Sequence, residues 1–219
     1  MTLKLYFAPG ACSFVPHSLL EATGATFEPV LVKLHKGEQG SPDYLALNPR
    51  GQVPVLVDDG EVITQILAIV TWLDHRFAQA GFLPREPLAR VRVLQTLAWM
   101  NNTVHPTFTH VFMPHKFASS PEAQAEIKAR AAESFGGMLG EIDAMAGRAG
   151  EHGREFLGGA GFGPLDAYAL TLLRWGGFAG YDPQRFPALW AHVQRVAALP
   201  PVARAIERER LQLNVYKAT

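Results

Sequence analysis

A single cysteine, Cys12, is the residue of this chain with the clearest capacity for nucleophilic chemistry. It follows Pro9-Gly10-Ala11, between an alternating strand pattern and the first predicted helix. A thiol at a helix N-terminus faces the positive end of the helix dipole, which favours the nucleophilic thiolate. Because loop-to-helix junctions usually lie at the surface, we expect Cys12 to be exposed, with a lowered pKa. The alternative is a small buried residue, as lone cysteines often are.

The segment from Asn48 to Leu56 predicts a backbone that can bind a peptide-like ligand. Pro54 enters a strand pattern shortly after Gly51, which suits a tight turn, so the Val53–Pro54 bond is a candidate for the cis isomer. Val53 would then hold N–H and C=O groups that no neighbouring strand uses. Such groups can pair with an extended peptide. The alternative is that Pro54 merely begins a strand.

Three of the eight histidines, His105, His110 and His115, are spaced by five residues. On an α-helix this spacing turns successive side chains by about 140°, so they do not share a face and we predict no metal site. Pro106 and Pro114 are expected to interrupt the helix here. His105 remains a candidate because a histidine can orient a bound thiol near neutral pH. A surface or interface histidine is the alternative.

The first 80 residues alternate short strands and helices. Leu3, Leu5 and Phe7 recur with the period of two that is typical of a strand. A helix over 13–23 is closed by Gly24, and Thr64 is expected to cap a helix that extends to Phe77. The further predicted strands cover 27–34, 53–57 and 61–63. This order, β-α-β-loop-β-β-α, predicts an α/β unit.

Beyond a predicted linker over 78–87, the apolar residues have helical spacing. Ser119, with Glu122 three residues later, predicts a capping box at the start of a long helix. Gly163–Asp166 opens another helix, and Pro200-Pro201 separates the last two, over 189–197 and 202–211. We therefore predict two domains, residues 1–80 and an all-helical domain over residues 86–214.

The composition excludes several classes of function. The 219 residues include 20 basic and 20 acidic side chains, and nearly half of the residues are apolar. Residues 1–80 carry 5 basic and 8 acidic side chains, giving −3, and the remainder carries +3, too little for a nucleic-acid surface. We find no membrane-spanning apolar run and no signal peptide. A single cysteine excludes an internal disulfide and favours a reducing, cytoplasmic setting.

Four motifs in register resemble the glutathione S-transferase family over essentially the whole chain. They are PGACS near the start, NPRGQVPVL, the helix start Thr64-Gln65, and the segment from Gly163 to Tyr168. The chain is most similar to the bacterial beta class, whose members have a cysteine where Cys12 stands. The resemblance implies a thioredoxin-like N-terminal domain, an all-helical C-terminal domain and a homodimer.

The resemblance also implies a site for glutathione as co-substrate, without a metal. Cys12 and His105 would be the catalytic residues. Val53 would pair with the cysteinyl backbone of glutathione. The γ-glutamyl group would lie on Gln65 and the N–H of residue 66, and the glycyl end or backbone near Lys36 and Gln52. The six implied binding residues are Lys36, Gln52, Val53, Pro54, Gln65 and Ile66.

Ile66 departs from the family pattern, in which a small residue, often serine, follows the residue at position 65. Ile66 removes a hydroxyl contact to the γ-glutamyl carboxylate and adds bulk, so Ile66→Ser is expected to bind glutathione more tightly. Pro106 replaces the usual beta-class lysine, Gly163 replaces a hydroxyl cap, and Ala98 stands where a polar residue is common.

Three functions therefore compete. The first is a glutathione transferase that conjugates glutathione to small hydrophobic electrophiles in detoxification. The second is a glutathione-dependent thiol-disulfide reductase or peroxidase, in which Cys12 forms a mixed disulfide with glutathione. The third is a non-catalytic partner protein on the transferase fold, suggested by Ile66. The helical domain supplies an aromatic group that could line an apolar substrate pocket or only fill the core: Trp99, Phe108, Phe112 and Phe117.

Overall fold

A computed structural model describes residues 2–159 and 161–218, and it contains a mixed four-stranded sheet in the order β2-β1-β3-β4. β1 is parallel to β2 and antiparallel to β3, and β3 is antiparallel to β4. The strands are β1 (Leu3–Phe7), β2 (Glu28–Leu31), β3 (Val55–Asp58) and β4 (Glu61–Thr64).

The strand register brings four connecting segments to one end of this sheet. Tyr6 pairs with Val55, and Val55 pairs with Thr64, so the end of β1, the start of β3 and the end of β4 meet. Because β2 runs parallel to β1, its end lies there too. Each of the adjoining segments carries at least one predicted site residue, among them Cys12, Lys36, Val53 and Gln65.

Nine α-helices occur in the described residues, and no strand follows Thr64 there. The predicted α/β unit followed by helices is therefore confirmed. None of the described helices is long and apolar enough to cross a bilayer. The helices are α1 (Phe14–Thr23), α2 (Pro42–Leu47), α3 (Ile66–Arg76), α4 (Pro87–Trp99), α5 (His105–Phe112), α6 (Pro121–Glu151), α7 (Pro164–Phe178), α8 (Pro187–Ala197) and α9 (Pro200–Glu209).

The sheet unit and the later helices share one hydrophobic core. Phe14 and Leu19 of α1, Phe135 of α6 and Tyr168 of α7 are all almost completely buried in it. Helix α1 packs directly against α7 and α9. Contacts of this kind hold the loop before α1 against the helical part of the chain.

Several predicted boundaries differ from the structure. Thr64 is the last residue of β4, and Gln65 is the N-cap of α3. Ser120, not Ser119, caps α6, because its side chain accepts a hydrogen bond from the Ala123 N–H at 3.2 Å. Strand β2 ends at Leu31, since a 3₁₀ turn follows. The Pro200-Pro201 pair begins α9 instead of preceding it.

Pro106 does not break the helix, contrary to the prediction. Helix α4 continues through a π-helical turn, Met100–Val104, directly into α5. In an α-helix the proline ring clashes with the carbonyl four residues earlier, and the missing N–H removes a bond. The wider turn, in which the His105 N–H bonds to the Met100 carbonyl, accommodates the ring. His105 therefore projects from a continuous helix beside a π turn.

Candidate active site

Cys12 lies in the turn before α1, but its side chain is buried. It is 9% exposed, and its Sγ donates a hydrogen bond to the Val53 carbonyl at 3.5 Å. Burial raises the pKa of the thiol to about 12, although the backbone N–H groups of Cys12 and Ser13 act in the opposite direction. The prediction of an exposed thiol with a lowered pKa is wrong, because desolvation exceeds the effect of the helix N-terminus.

The loop that carries Cys12 is fixed by local hydrogen bonds. The Ser13 hydroxyl accepts from the Ala8 N–H at 3.1 Å and lies 3.2 Å from the Ala8 carbonyl, to which it can donate. Gly10 has a φ of 70°, and a Cβ there would lie 2.6 Å from Nη1 of Arg174. The positive φ favours glycine at this turn, whereas the guanidinium group of Arg174 is the end of a flexible side chain and could move aside.

Two residues of the helical part hold the backbone of Gly10. Trp175 donates from Nε1 to the Gly10 carbonyl at 2.9 Å, and the Gly10 N–H donates to Oε2 of Glu209 at 2.8 Å. The other carboxylate oxygen of Glu209 lies 2.7 Å from Nδ1 of His17, and both side chains are fully buried. The position of the Cys12 loop thus depends on α7 and α9.

The Val53–Pro54 peptide bond is cis, as predicted. Val53 precedes the β1–β3 ladder, whose last pair includes Val55, and its N–H donates to no described residue. Its carbonyl accepts only the Cys12 thiol among the described residues. Val53 therefore keeps a free donor, and its carbonyl has a second lone pair for a ligand.

Asn48 shapes the turn that leads to Val53. The side chain is 2% exposed, and its Nδ2 donates to the Gln52 carbonyl at 2.7 Å. Its Oδ1 accepts from the Arg50 N–H at 3.2 Å, and Gly51 completes the turn with a φ of 59°. The Gln52 side chain is exposed, so it can reach a ligand beside Val53.

The N-terminus of α3 has no side-chain cap. Gln65 occupies the N-cap position with a φ of 72° and a ψ of 129°, a conformation that non-glycine residues rarely adopt. Its side chain is exposed and makes no capping hydrogen bond. The first N–H groups of α3 thus lack a side-chain acceptor at the sheet end that also carries Val53.

Ile66 points the other way, into the core. It is 3% exposed and packs among the buried residues of the sheet unit. Its bulk therefore does not lie in the cleft, which corrects the expectation that its side chain obstructs a ligand. The backbone N–H of Ile66 begins α3, so its predicted ligand contact remains a prediction.

Ile66→Ser is now expected to lower the free energy of unfolding by about 2–4 kcal/mol, because it removes buried methylene groups and buries a hydroxyl. Tighter glutathione binding is not expected. Urea denaturation measures the loss, and Ile66→Val should cost only about 0.5–1.5 kcal/mol. A serine variant as stable as the parent would contradict the packing described above.

His105 belongs to a buried polar and aromatic group. Its Nδ1 lies 2.9 Å from the hydroxyl of Tyr168, and its ring centroid is 4.8 Å from that of Trp175. Burial lowers the pKa of His105 to about 4, so the imidazole is neutral at pH 7. Proximity to Cys12 adds to the effect of burial in raising the pKa of Tyr168. His105, Tyr168 and the Cys12 loop therefore share one region.

The remaining predicted residues are less closely tied to this region. Lys36 is exposed in a 3₁₀ turn after β2, at the same end of the sheet. His110 bonds to the Pro106 carbonyl and stacks on Phe117, away from His105. Within residues 2–159 and 161–218, no group of three or more His, Cys, Asp or Glu side chains is placed to hold a metal ion.

Known proteins resemble the chain along its whole length. Residues 1–75 match the family model "Glutathione S-transferase, N-terminal domain". Glutathione S-transferase GstA of Escherichia coli O157:H7 is 31% identical over 216 residues, which is 96% of this chain and 100% of that protein. This chain belongs to the glutathione S-transferase family. It is therefore related to transferase enzymes, as the sequence motifs predicted.

Solved glutathione S-transferases have the same fold. A sphingomonad enzyme, solved in complex with glutathione, is 36% identical with a TM-score of 0.81, covering 95% of this chain and 100% of that one. The bacterial beta class glutathione S-transferase of Sphingomonas chungbukensis is 33% identical with a TM-score of 0.80 and the same coverage. The predicted thioredoxin-like domain, followed by helices, is thereby confirmed.

Sequence reasoning missed four residues that hold His105 or the Cys12 loop: Tyr168, Trp175, Asn101 and Glu209. The motif from Gly163 to Tyr168 contains Tyr168 without giving it a role. Trp175 lies seven residues later on the same buried face of α7, and this helical spacing could have identified both residues. Asn101 lies four residues before His105, and this helical spacing could likewise have indicated that their side chains lie close together. Glu209 gave no signal, because a glutamate near a helix C-terminus normally indicates a solvated surface.

Proposed function

We propose that this glutathione S-transferase binds glutathione and conjugates its thiol to small hydrophobic electrophiles. The supporting observation is the register that brings the free Val53 N–H beside the uncapped N-terminus of α3. An unpaired backbone suits a peptide, and a helix N-terminus suits a carboxylate. Glutathione, a tripeptide with a γ-glutamyl carboxylate, offers both groups.

The predicted residues bind different parts of the glutathione molecule. Val53, next to Pro54, pairs with the cysteinyl backbone, while Gln65 and the N–H of Ile66 hold the γ-glutamyl end. Lys36 and Gln52 are exposed on neighbouring segments and suit the glycyl carboxylate or the adjacent backbone.

The two predicted domains also have different roles. Residues 1–80 bind glutathione in this proposal, and residues 86–214 bind the electrophile and contribute to a homodimer. In α5 and α7 the Trp175 and Phe108 rings stack at 4.7 Å, and Phe108 and Phe112 at 5.7 Å. Phe112 is 56% exposed, so this aromatic row continues to the surface and suits an apolar substrate. The one free cysteine favours a reducing, cytoplasmic location.

The chemistry belongs to the sulfur of glutathione and not to Cys12. A thiol with a pKa of about 12 is protonated at neutral pH and is a poor nucleophile. The Cys12 side chain instead donates to the Val53 carbonyl and so orders the backbone that pairs with glutathione. His105 orients the incoming thiol. This assignment favours conjugation over the reductase or peroxidase alternative.

Calorimetry with glutathione tests the proposal. Gln65→Ala should raise the dissociation constant about tenfold or more, because a hydrogen bond to a charged group contributes roughly 1.5–3 kcal/mol. Gln79→Ala is the matched control, an exposed glutamine beyond the far end of α3, and should bind like the parent. Absence of binding at millimolar glutathione would refute the proposal and favour a non-catalytic partner protein.

Turnover separates the two enzymatic functions. An aromatic halide should be conjugated to glutathione, while reduction of a glutathione mixed disulfide should be slow. The opposite pattern would reinstate the redox function through Cys12.

A further inference from the structure

The hydroxyl of Tyr168 joins His105 to the π turn that precedes it. Tyr168 is fully buried, and its hydroxyl lies 2.9 Å from Nδ1 of His105 and 3.2 Å from Oδ1 of Asn101. Asn101 in turn donates from Nδ2 to Oδ1 of Asn102 at 2.7 Å. The three bonds form a chain that begins at the imidazole and ends at the surface.

The direction of this chain follows from its members. Nδ2 of Asn101 donates to Asn102, and Oδ1, which only accepts, faces Tyr168. With the Asn101 amide in this orientation, the Tyr168 hydroxyl donates its single proton to Asn101. The tyrosine oxygen is left as an acceptor, and the only donor that can complete the 2.9 Å contact is an N–H at Nδ1 of His105.

We propose that Tyr168 is a positioning residue that fixes His105 in the tautomer with its proton on Nδ1 and a free lone pair on Nε2. The inference rests on the proposed function in that His105 is assigned to the glutathione thiol. Nε2 makes no hydrogen bond to a described residue. His105 is only half-buried, and in the proposed function the ring edge away from Tyr168 is the one that meets the glutathione thiol.

This tautomer decides what His105 does. A neutral ring with a lone pair on Nε2 accepts a hydrogen bond from the S–H of glutathione, which orients the sulfur. It cannot donate a hydrogen bond to a thiolate. The low pKa of His105 keeps the ring neutral throughout the physiological range, so the tautomer is the form that operates. Donors that stabilise the thiolate must come from elsewhere.

Long-range ¹H–¹⁵N spectra of the glutathione-free protein at pH 7 read the tautomer directly. His105→Gln identifies the His105 signals among the eight histidines by their loss. The parent should show the proton on Nδ1. In Tyr168→Phe, which keeps the ring but removes the acceptor, the Nδ1–H form should fall to a minority as the proton moves to Nε2. A protein with the proton on Nε2 in the parent would overturn the proposal.

Asn101→Leu provides a second test that leaves Tyr168 in place. Without Oδ1, the tyrosine hydroxyl can donate to Nδ1 of His105, so the imidazole proton should again move to Nε2. A spectrum unchanged in both variants would also overturn the assignment. Calorimetry with glutathione on the same samples tests the proposed function separately: binding can persist when the tautomer assignment fails, and the assignment can hold when binding is absent.

Discussion

Native Cys12 is expected to react with iodoacetamide about a hundredfold more slowly at pH 8 than a free cysteine, whose pKa is ~8.5. With a pKa of about 12, roughly one thiol in ten thousand is ionised at this pH, against about one in four for a free cysteine. Since only the thiolate is alkylated, its small population lowers the rate, and the higher nucleophilicity of a thiolate with a raised pKa offsets part of this difference. The buried position, at 9% exposure, slows access further.

The pH dependence has a definite sign. Because the pKa of Cys12 is raised, its alkylation rate should rise about tenfold per pH unit from pH 8 towards 10. The alkylation rate of a free cysteine should instead level off above its own pKa of ~8.5. Mass spectrometry follows the reaction, because the chain has one cysteine and yields one adduct. Unfolding in urea should restore the rate of a free thiol. Rapid alkylation of the folded protein would contradict the buried thiol.

The same property changes the expected result with oxidised glutathione. The sequence alone predicts that a mixed disulfide of Cys12 with glutathione would accumulate, because the thiol is reactive and the chain has no second cysteine to resolve it. A protonated, buried thiol should instead give little adduct over hours. Cys12→Ala should then keep conjugation within a few-fold of the parent, since only the hydrogen bond to the Val53 carbonyl is lost.

The features predicted from sequence alone are those set by local chemistry. The αL conformation of Gly24 after α1 follows from glycine at a helix end. The cis bond at Pro54 follows a tight turn at Gly51, and the hairpin of β3 and β4 follows two short strand patterns separated by Asp58-Asp59-Gly60. The order of strands and helices was likewise predicted, because each element has its own periodicity.

The features that could not be predicted depend on contacts between distant segments. The pKa of Cys12 is set by desolvation, which requires the helical part to cover the loop. The side-chain direction of Ile66 depends on the orientation of α3 against the sheet. The Tyr168–His105 bond joins residues 63 positions apart, and no pattern within either helix encodes it. Considered by itself, Pro106 predicts a break in the helix, but the preceding π-helical turn accommodates the proline ring.

Glu209→Ala should lower the free energy of unfolding by about 2–4 kcal/mol, because each buried polar group that loses its hydrogen-bond partner costs about 1–3 kcal/mol. Its carboxylate accepts from the Gly10 N–H at 2.8 Å and contacts Nδ1 of His17 at 2.7 Å. Alanine would leave the buried imidazole of His17 and the partly buried Gly10 N–H without this partner. Nε2 of His17 already lacks a hydrogen bond, so the imidazole has no alternative acceptor among the described residues.

Two variants separate this contact from general effects on α9. Glu207→Ala removes an exposed glutamate two residues earlier and should change stability by at most about 0.5 kcal/mol. Glu209→Gln keeps one carbonyl oxygen as an acceptor and should fall between these values. Urea denaturation measures all three. If Glu209→Ala and Glu207→Ala were equally stable, the carboxylate would not hold the loop.

The removal of the Glu209 carboxylate would also affect the Cys12 loop of the candidate active site. Gly10 and His17 lie 199 and 192 positions from Glu209, so one carboxylate on the last helix fixes the loop that carries Cys12. When Gly10 is released, the Cys12 contact to the Val53 carbonyl should loosen, and alkylation of Cys12 in Glu209→Ala should accelerate under conditions where the protein remains folded. Faster alkylation with unchanged circular dichroism would show that α9 controls the burial of the thiol.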